Sequence, residues 1–230
     1  MSPTREPRRI TLTPGARRAL EAASRLFYER GIHAVGVDLI AAEAGVTKKT
    51  LYDRFGSKDQ LVVEYLAARD ERWRAFLAER LEAVSPGPDD VRPPGVERVL
   101  AVFDASRAWM EANSPRGCSM VNAHAEIDDR GHPAYSVIAG QKTWMLELFT
   151  RLAREAEART EAEAQTEAQA EDEAKAQAED KAEDEGGTGK AEQLGRTLML
   201  LHEGALVAHG LRIFPDALGE AREQARALLT

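Results

Sequence analysis

Between Thr13 and Val84 the only proline is Pro14, and that region shows no sustained strand-like alternation of apolar and polar residues. Proline removes a backbone donor and clashes with the preceding turn, so a long run without it leaves helices free to form. Ala16, Leu20, Ala23, Leu26 and Phe27 recur at helical spacing. Thr13 and Pro14 supply an N-cap and a first helical residue, and Gly31 supplies a stop. A second short helix is predicted over residues 37–44, with Ile40, Ala41 and Ala44 inward. Gly45 permits the left-handed turn of a close helix corner. Thr47 then caps a third helix over 48–55, pinned by Leu51 and Phe55, and two short helices meeting at such a turn form a helix-turn-helix pattern.

After Gly56, Ser57 and Gln60 are placed as a capping box that opens a long helix through Leu61, Tyr65, Leu66, Trp73, Phe76, Leu77 and Leu81. Beyond the cluster SPGPDDVRPPG, apolar periodicity predicts helices over 95–113, 118–127, 133 to about 155, and 190–212, with an amphipathic tail over 215–229. The expected fold class is all-α. An N-terminal three-helix domain of residues 1–56 is followed by a helical bundle of residues 57–230, interrupted by an acidic low-complexity insert at about 156–188.

The formal net charge of −8 is carried by one segment. Residues 155–185 hold 13 acidic and 3 basic side chains, a net of −10, so the rest of the chain carries +2; residues 1–60 hold 11 basic against 7 acidic side chains. Charge distribution, rather than the total, predicts partners. The insert is rich in helix-favouring Ala and Glu but has almost nothing large to bury. Glu163 and Glu167, and Glu179 and Glu183, repel at i,i+4, so a solvated, fraying helix or a disordered loop is expected there.

A basic helix corner carrying Thr47, Lys48, Lys49, Thr50, Tyr52 and Lys58 suits a polyanion. A helix in the DNA major groove reads base edges with its first turns while neighbouring donors fix register on phosphates. Lys48 and Lys49 have the reach for guanine O6 and N7, Thr47 and Tyr52 suit phosphate oxygens, and Lys58 opens a helix whose N-terminus attracts anions.

Other chemistry is sparse. No apolar run reaches the roughly 20 residues of a membrane span, and the start MSPTREPRRI leads into no signal-peptide core; a soluble, cytoplasmic protein is expected. The single cysteine, Cys118, excludes an intramolecular disulfide and the usual cysteine zinc sites, and it is read as a small buried hydrophobe. His124 and Glu126 form an H-x-E fragment, but no P-C-x-x-C completes a deaminase zinc site. No nucleophile elbow, phosphate-cradling loop or paired metal motif is present. No catalytic residue, metal or cofactor is expected.

The stretch LFYERGIHAVGVDLIAAEAGVTKKTLYDRFGSKDQLVVEYL, residues 26–66, closely resembles the DNA-binding domain of the tetracycline-repressor (TetR) family, with its Ile-Ala, Ala-Gly-Val, Thr-Leu-Tyr, Phe and Ser-Lys pattern at matching separations. RGCSMVNAHAEI and QLGRTLMLLHEGALVAHGL resemble one branch of that family's regulatory domain. The resemblance implies a homodimeric, ligand-responsive transcriptional regulator, usually a repressor, that binds palindromic double-stranded operator DNA and is released by a small-molecule effector. It places Thr47, Lys48, Lys49, Thr50 and Tyr52 on the recognition helix and Lys58 on phosphate. Two departures stand out. The acidic insert replaces a connection that is usually short, and Gly36 stands where many members have a capping Ser or Thr that touches phosphate.

For the effector pocket, Phe103, Trp109, Met120, Trp144 and Phe149 are candidate apolar walls, with Asn122, His124 and His202 as the polar groups that select a ligand; the same stripe also suits plain core. For the dimer interface, the resemblance implies packing of the last large helices, and Leu194, Leu198, Leu201, Ala205 and Ala208 form one stripe with Gly204 allowing close approach. Two alternatives stay open: a helical scaffold or activator that binds a partner through the insert, and a helical enzyme using Cys118 with His124.

Overall fold

The computed structural model describes residues 13–84, 94–172 and 186–229, with side-chain environments for all of these except 94 and 159–188. These residues form α1 (Pro14–Arg30), α2 (Val37–Ala44), α3 (Lys48–Phe55), α4 (Lys58–Ala83), α5 (Pro94–Asn113), α6 (Ser119–Glu126), α7 (Pro133–Asp172), α8 (Gly186–Leu211) and α9 (Ala217–Leu229). No strand occurs among the described residues, so the fold is all-α, as the periodicity predicts. Contacts divide it into two compact units, Met1–Ala75 with Ala112–Thr143, and Phe76–Glu111 with Trp144–Thr230.

In the first unit the short helices begin and end where local chemistry dictates. Thr13 Oγ1 accepts from the Ala16 amide at 3.4 Å. The chain leaves α1 through Gly31, whose φ of 94° favours glycine and whose N–H reaches Phe27 O at 3.0 Å. Gly45 adopts the left-handed conformation (φ 61°, ψ 40°) between α2 and α3. Thr47 Oγ1 caps α3 by accepting from the Thr50 amide at 3.1 Å. Ser57 Oγ accepts from the Gln60 amide at 3.0 Å, while the Gln60 amide group donates to Glu64 Oε1 at 3.2 Å.

Leu26, Ile40, Leu51, Phe55, Leu61 and Leu66 form one core with Met120 of α6 and Ile138 of α7. Leu61 through Ala67 are all buried. A helix covered on every side has no polar face to show, and contacts accordingly group residues 57–75 and 112–143 with the first three helices. Polar ties accompany this packing. The Tyr28 hydroxyl donates to Gly117 O at 3.0 Å and accepts from the Arg116 amide at 2.8 Å. The Arg116 guanidinium donates to Tyr28 O and Glu29 O. Arg69, buried, donates to Asn113 O at 2.7 Å and to Ser114 Oγ, and lies 4.6 Å from the Tyr28 ring centre. A buried charge is tolerable only with partners of this kind.

The second unit is built from α5, α8, α9 and the remainder of α4 and α7. Phe103, Phe149, Leu152, Leu198 and Leu218 fill its core. Arg98 pairs with Glu155, and Arg222 Nε donates to Asp104 Oδ2 at 2.9 Å. Helix α7 runs past residue 155 to Asp172, so the first part of the acidic insert is helical, as its Ala and Glu content favours; residues 173–185 lie outside the described residues. Close approach within the unit falls at Gly95, where an added Cβ would overlap the Ala156 backbone, and at Gly195, where it would overlap Thr150, and not at Gly204, which has nothing within 4 Å.

Gly95→Ala therefore tests the α5–α7 contact by sign. An unobstructed glycine-to-alanine change in a helix stabilises by about 0.5–1 kcal/mol, whereas forcing a methyl into a filled site costs about 1–3 kcal/mol. A lowered thermal midpoint is expected, measured by circular dichroism.

Candidate nucleic-acid interface

Helix α3 is eight residues long, and Leu51 and Phe55, exposed by 3% and 5%, tie it to the core. Their burial fixes which residues face outward. Thr47, Lys48, Lys49, Tyr52, Asp53 and Arg54 are exposed, and Thr50 is half-buried. Thr47 Oγ1 and Thr50 Oγ1 lie 2.9 Å apart; one hydroxyl donates to the other, which leaves one proton of the pair for an outside acceptor. Lys58, half-buried, opens α4, where the unpaired amides of a helix start attract anions. The six side chains named from the sequence thus occupy α3, its cap and the start of α4.

The lysines are engaged on the protein itself. Lys48 Nζ donates to Asp38 Oδ2 at 3.0 Å, across from α2. Lys49 Nζ donates to Asp53 Oδ2 at 2.7 Å, one helical turn away. The hydrogen bond to Asp38, followed by its negative charge, holds the Lys48 ammonium above the usual lysine range, so Lys48 stays charged. Sequence reasoning missed both carboxylates, although the i,i+4 spacing of Lys49 and Asp53 was readable. It also missed Arg18, whose Nε donates to Ala44 O at 3.2 Å and so satisfies a carbonyl at the end of α2. Gly36 holds the N-cap of α2 without a side-chain bond, as expected from its lack of a side chain.

The residues suggested for an effector pocket fall in different units. In the first, Met120 is core at 3% exposure, and His124 is exposed with its ring centre 6.1 Å from that of Tyr135. Asn122 donates to Arg116 O at 3.1 Å and helps line a cavity of about 110 Å³ with Phe27, Tyr28, Tyr65, Arg116 and Glu126. In the second, Phe103, Phe149 and His202 meet with ring centres 5.5 to 5.8 Å apart. Ser106 Oγ lies 2.7 Å from Val102 O, to which it can donate, and 2.8 Å from His202 Nε2. Trp109 packs on Phe76 at 5.1 Å, and Trp144 is half-buried. Cys118, half-buried at the start of α6, receives a contact from Lys142 Nζ at 3.6 Å.

The stripe suggested for dimerisation turns inward. Leu198, Ala205 and Ala208 are buried within the protomer and Leu194 and Leu201 are half-buried. The exposed apolar face of α8 is instead Leu200, Gly204, Val207 and Leu211, with Leu200 at 74% and Leu211 at 67% exposure. Residues 198 and 200 lie about 200° apart on a helix, so the two faces oppose each other. Because α8 is apolar on both, spacing alone does not say which one is covered.

Residues 19–65 match the model of bacterial regulatory proteins of the tetR family, and residues 95–172 match the tetracyclin repressor-like C-terminal domain. The chain is 51% identical over 47 residues to the transcriptional activator FasR of Mycolicibacterium smegmatis, covering 20% of this chain and 22% of that protein. It is 30% identical over 110 residues to the transcriptional regulator TtgR of Pseudomonas putida, covering 48% and 50%. The chain therefore spans half or less of the length of these relatives. Among solved structures, a TetR-family transcriptional regulator from Streptomyces coelicolor aligns with a TM-score of 0.69 at 27% identity, over 95% of this chain and 88% of that one. A putative TetR transcriptional regulator from Streptomyces avermitilis gives 0.60 at 27% identity, over 93% and 98%. The anchored, cationic α3 of a helix-turn-helix and these two consecutive matches lead to one conclusion: the chain belongs to the TetR family of DNA-binding transcriptional regulators, which are not enzymes.

Proposed function

We propose that the protein is a homodimeric repressor that binds a palindromic operator through α3 and leaves it when a small molecule occupies the helical domain. Residues 1–56 meet DNA in this reading, and residues 57–230 carry effector and dimer contacts. The observation that carries it is the exposure of Lys48, Lys49 and Tyr52 on a helix whose opposite face is locked by Leu51 and Phe55. Cationic and hydroxyl groups held on a rigid element can keep register on a duplex, which mobile ones cannot. FasR is named an activator, but that likeness is confined to 47 residues; it speaks for DNA contact rather than the sign of regulation. Transcription from an operator-bearing reporter, lowered by the protein, supports repression, and raised transcription overturns it.

Dimerisation is supported by the apolar face of α8. Leu200, Gly204, Val207 and Leu211 follow a four-three-four spacing along one side, with Ile213 and Phe214 exposed just beyond the helix. A contiguous exposed apolar surface of this kind marks an interaction site, and the occupant proposed for it is a second copy of the chain. Two recognition helices must then sit about one DNA turn, roughly 34–36 Å, apart. An effector acts by favouring a different separation, and its effect is bounded by its differential affinity for the two states. Acting on DNA, the protein works in the cytoplasm.

Selection from a random duplex pool, at a fixed near-physiological salt concentration, is expected to return a palindrome with half-sites spaced by integral turns. Tyr52→Phe and Lys58→Ala should weaken binding uniformly across sequences, and Lys58→Ala should reduce the salt slope by about one. Lys48→Ala and Lys49→Ala should alter sequence preference as well, and uniform losses from all four would refute that division. Leu200→Glu combined with Leu211→Glu should give a monomer by sedimentation with helix content unchanged; a persistent dimer would place the interface elsewhere.

A further inference from the structure

Lys48 and Lys49 have the reach to meet base edges, yet each is engaged by a carboxylate before any DNA arrives. The Lys48 and Asp38 side chains are 51% and 76% exposed, and those of Lys49 and Asp53 are 83% and 57% exposed. Ion pairs this open to water contribute little to folding. Local helix electrostatics accounts for only one of the acids. Asp38 lies in the first turn of α2, where a negative charge is favourable, but Asp53 lies in the last turn of α3, where it faces the negative end of the helix dipole. Asp53 is thus electrostatically misplaced for the helix that carries it. Arg54 and Lys58 on the same surface have no ion pair among the described residues.

We propose that Asp38 and Asp53 are specificity-determining residues, which hold Lys48 and Lys49 and lower their affinity for phosphate so that base-edge contacts decide where the protein binds. This rests on the reading that α3 faces DNA. Sequence-independent binding is supplied by cations meeting phosphates and releasing counterions. A carboxylate about 3 Å from an ammonium cancels most of its charge as seen from a phosphate several ångströms away. At short range the ammonium keeps its hydrogen-bonding hydrogens, since it carries three and each recorded bond uses one. A guanine offering O6 and N7 can therefore still engage the lysine, whereas a passing phosphate gains little. The carboxylates suppress non-specific binding more than specific binding, and the ratio of the two rises. Arg54 and Lys58 remain to draw the surface towards the duplex.

The test uses the full-length protein with Asp38→Asn, Asp53→Asn and the double variant. Each is titrated by fluorescence anisotropy against the duplex recovered by selection and against a scrambled duplex of equal length, over a salt series. Expected is a several-fold gain on the scrambled duplex for each single change, and a slope of log K against log salt steeper by about 0.9 per freed lysine. The gain on the selected duplex should be smaller, so that the specificity ratio falls. Asp38→Asn should lose its effect when Lys48 is already alanine, which a structural role for Asp38 would not produce. Unchanged scrambled-duplex affinity and slope overturn the proposal, as does loss of selected-duplex binding alone, which would make the carboxylates direct base readers. Wild-type protein that favours neither duplex overturns the DNA reading itself, a result distinct from selective wild-type binding that the variants leave untouched.

Discussion

An eight-residue helix does not hold itself together in water. Nucleation is unfavourable enough that isolated helices below about 12–15 residues are marginal even in good helix formers, and α3 is rich in neither alanine nor leucine. Its shape is borrowed from its surroundings. Leu51 and Phe55 insert into the core made by Leu26, Ile40 and Leu61, Thr47 satisfies an amide at one end, and the Gly56 N–H returns to Tyr52 O at 2.9 Å at the other. Once those anchors are set, every other position on α3 is dictated. The outward placement of Lys48, Lys49 and Tyr52 is a consequence of what the helix buries.

The same core ties α3 to parts of the chain far away in sequence. Met120 of α6 and Ile138 of α7 are buried against it, and packed interiors answer a displaced side chain by moving neighbours rather than by compressing. Polar contacts reinforce the link. Glu126 near the end of α6 accepts from the His33 amide at 2.8 Å, and the loop before α6 is joined to α1 through Arg116 and Tyr28. Burial raises the Tyr28 phenol and pushes Tyr65 up to about 12, so both stay protonated and able to donate at physiological pH. A shift of α6 would have to break these bonds or carry α1 with it, so α6 and the element that supports α3 move as one within the first unit.

What could be read from the sequence follows from the range of the interactions involved. The caps at Thr13 and Thr47, the turn at Gly45 and the anchors Leu51 and Phe55 depend on residues a few positions away, and the structure places them as expected. The capping role of Arg18 spans 26 positions, and the Lys48–Asp38 pair spans 10; neither leaves a periodic trace. Helix α8 is ambiguous from sequence for a different reason. It carries apolar residues on opposite faces, Leu198 on the buried one and Leu200 on the exposed one, so helical spacing alone does not separate a face packed within the chain from one left open. Pocket-like chemistry carries no trace of contact in a sequence, and the candidate pocket residues are split between the two units: Asn122 lines a cavity in the first while Phe103, Phe149 and His202 meet in the second.

An acidic protein that binds a polyanion is no contradiction once distance is counted. At physiological salt, exposed charges are screened over about 8 Å, so the charges beside a given surface weigh more on an anion approaching it than the net charge of the whole chain does. Asp38 and Asp53 each stand 3.0 Å or less from a lysine ammonium, well inside that screening length. On the proposed reading of α3 as the DNA-facing helix, the local balance of Lys48, Lys49, Arg54 and Lys58 against these two acids, and not the total of −8, sets how strongly it holds a duplex before any base is read.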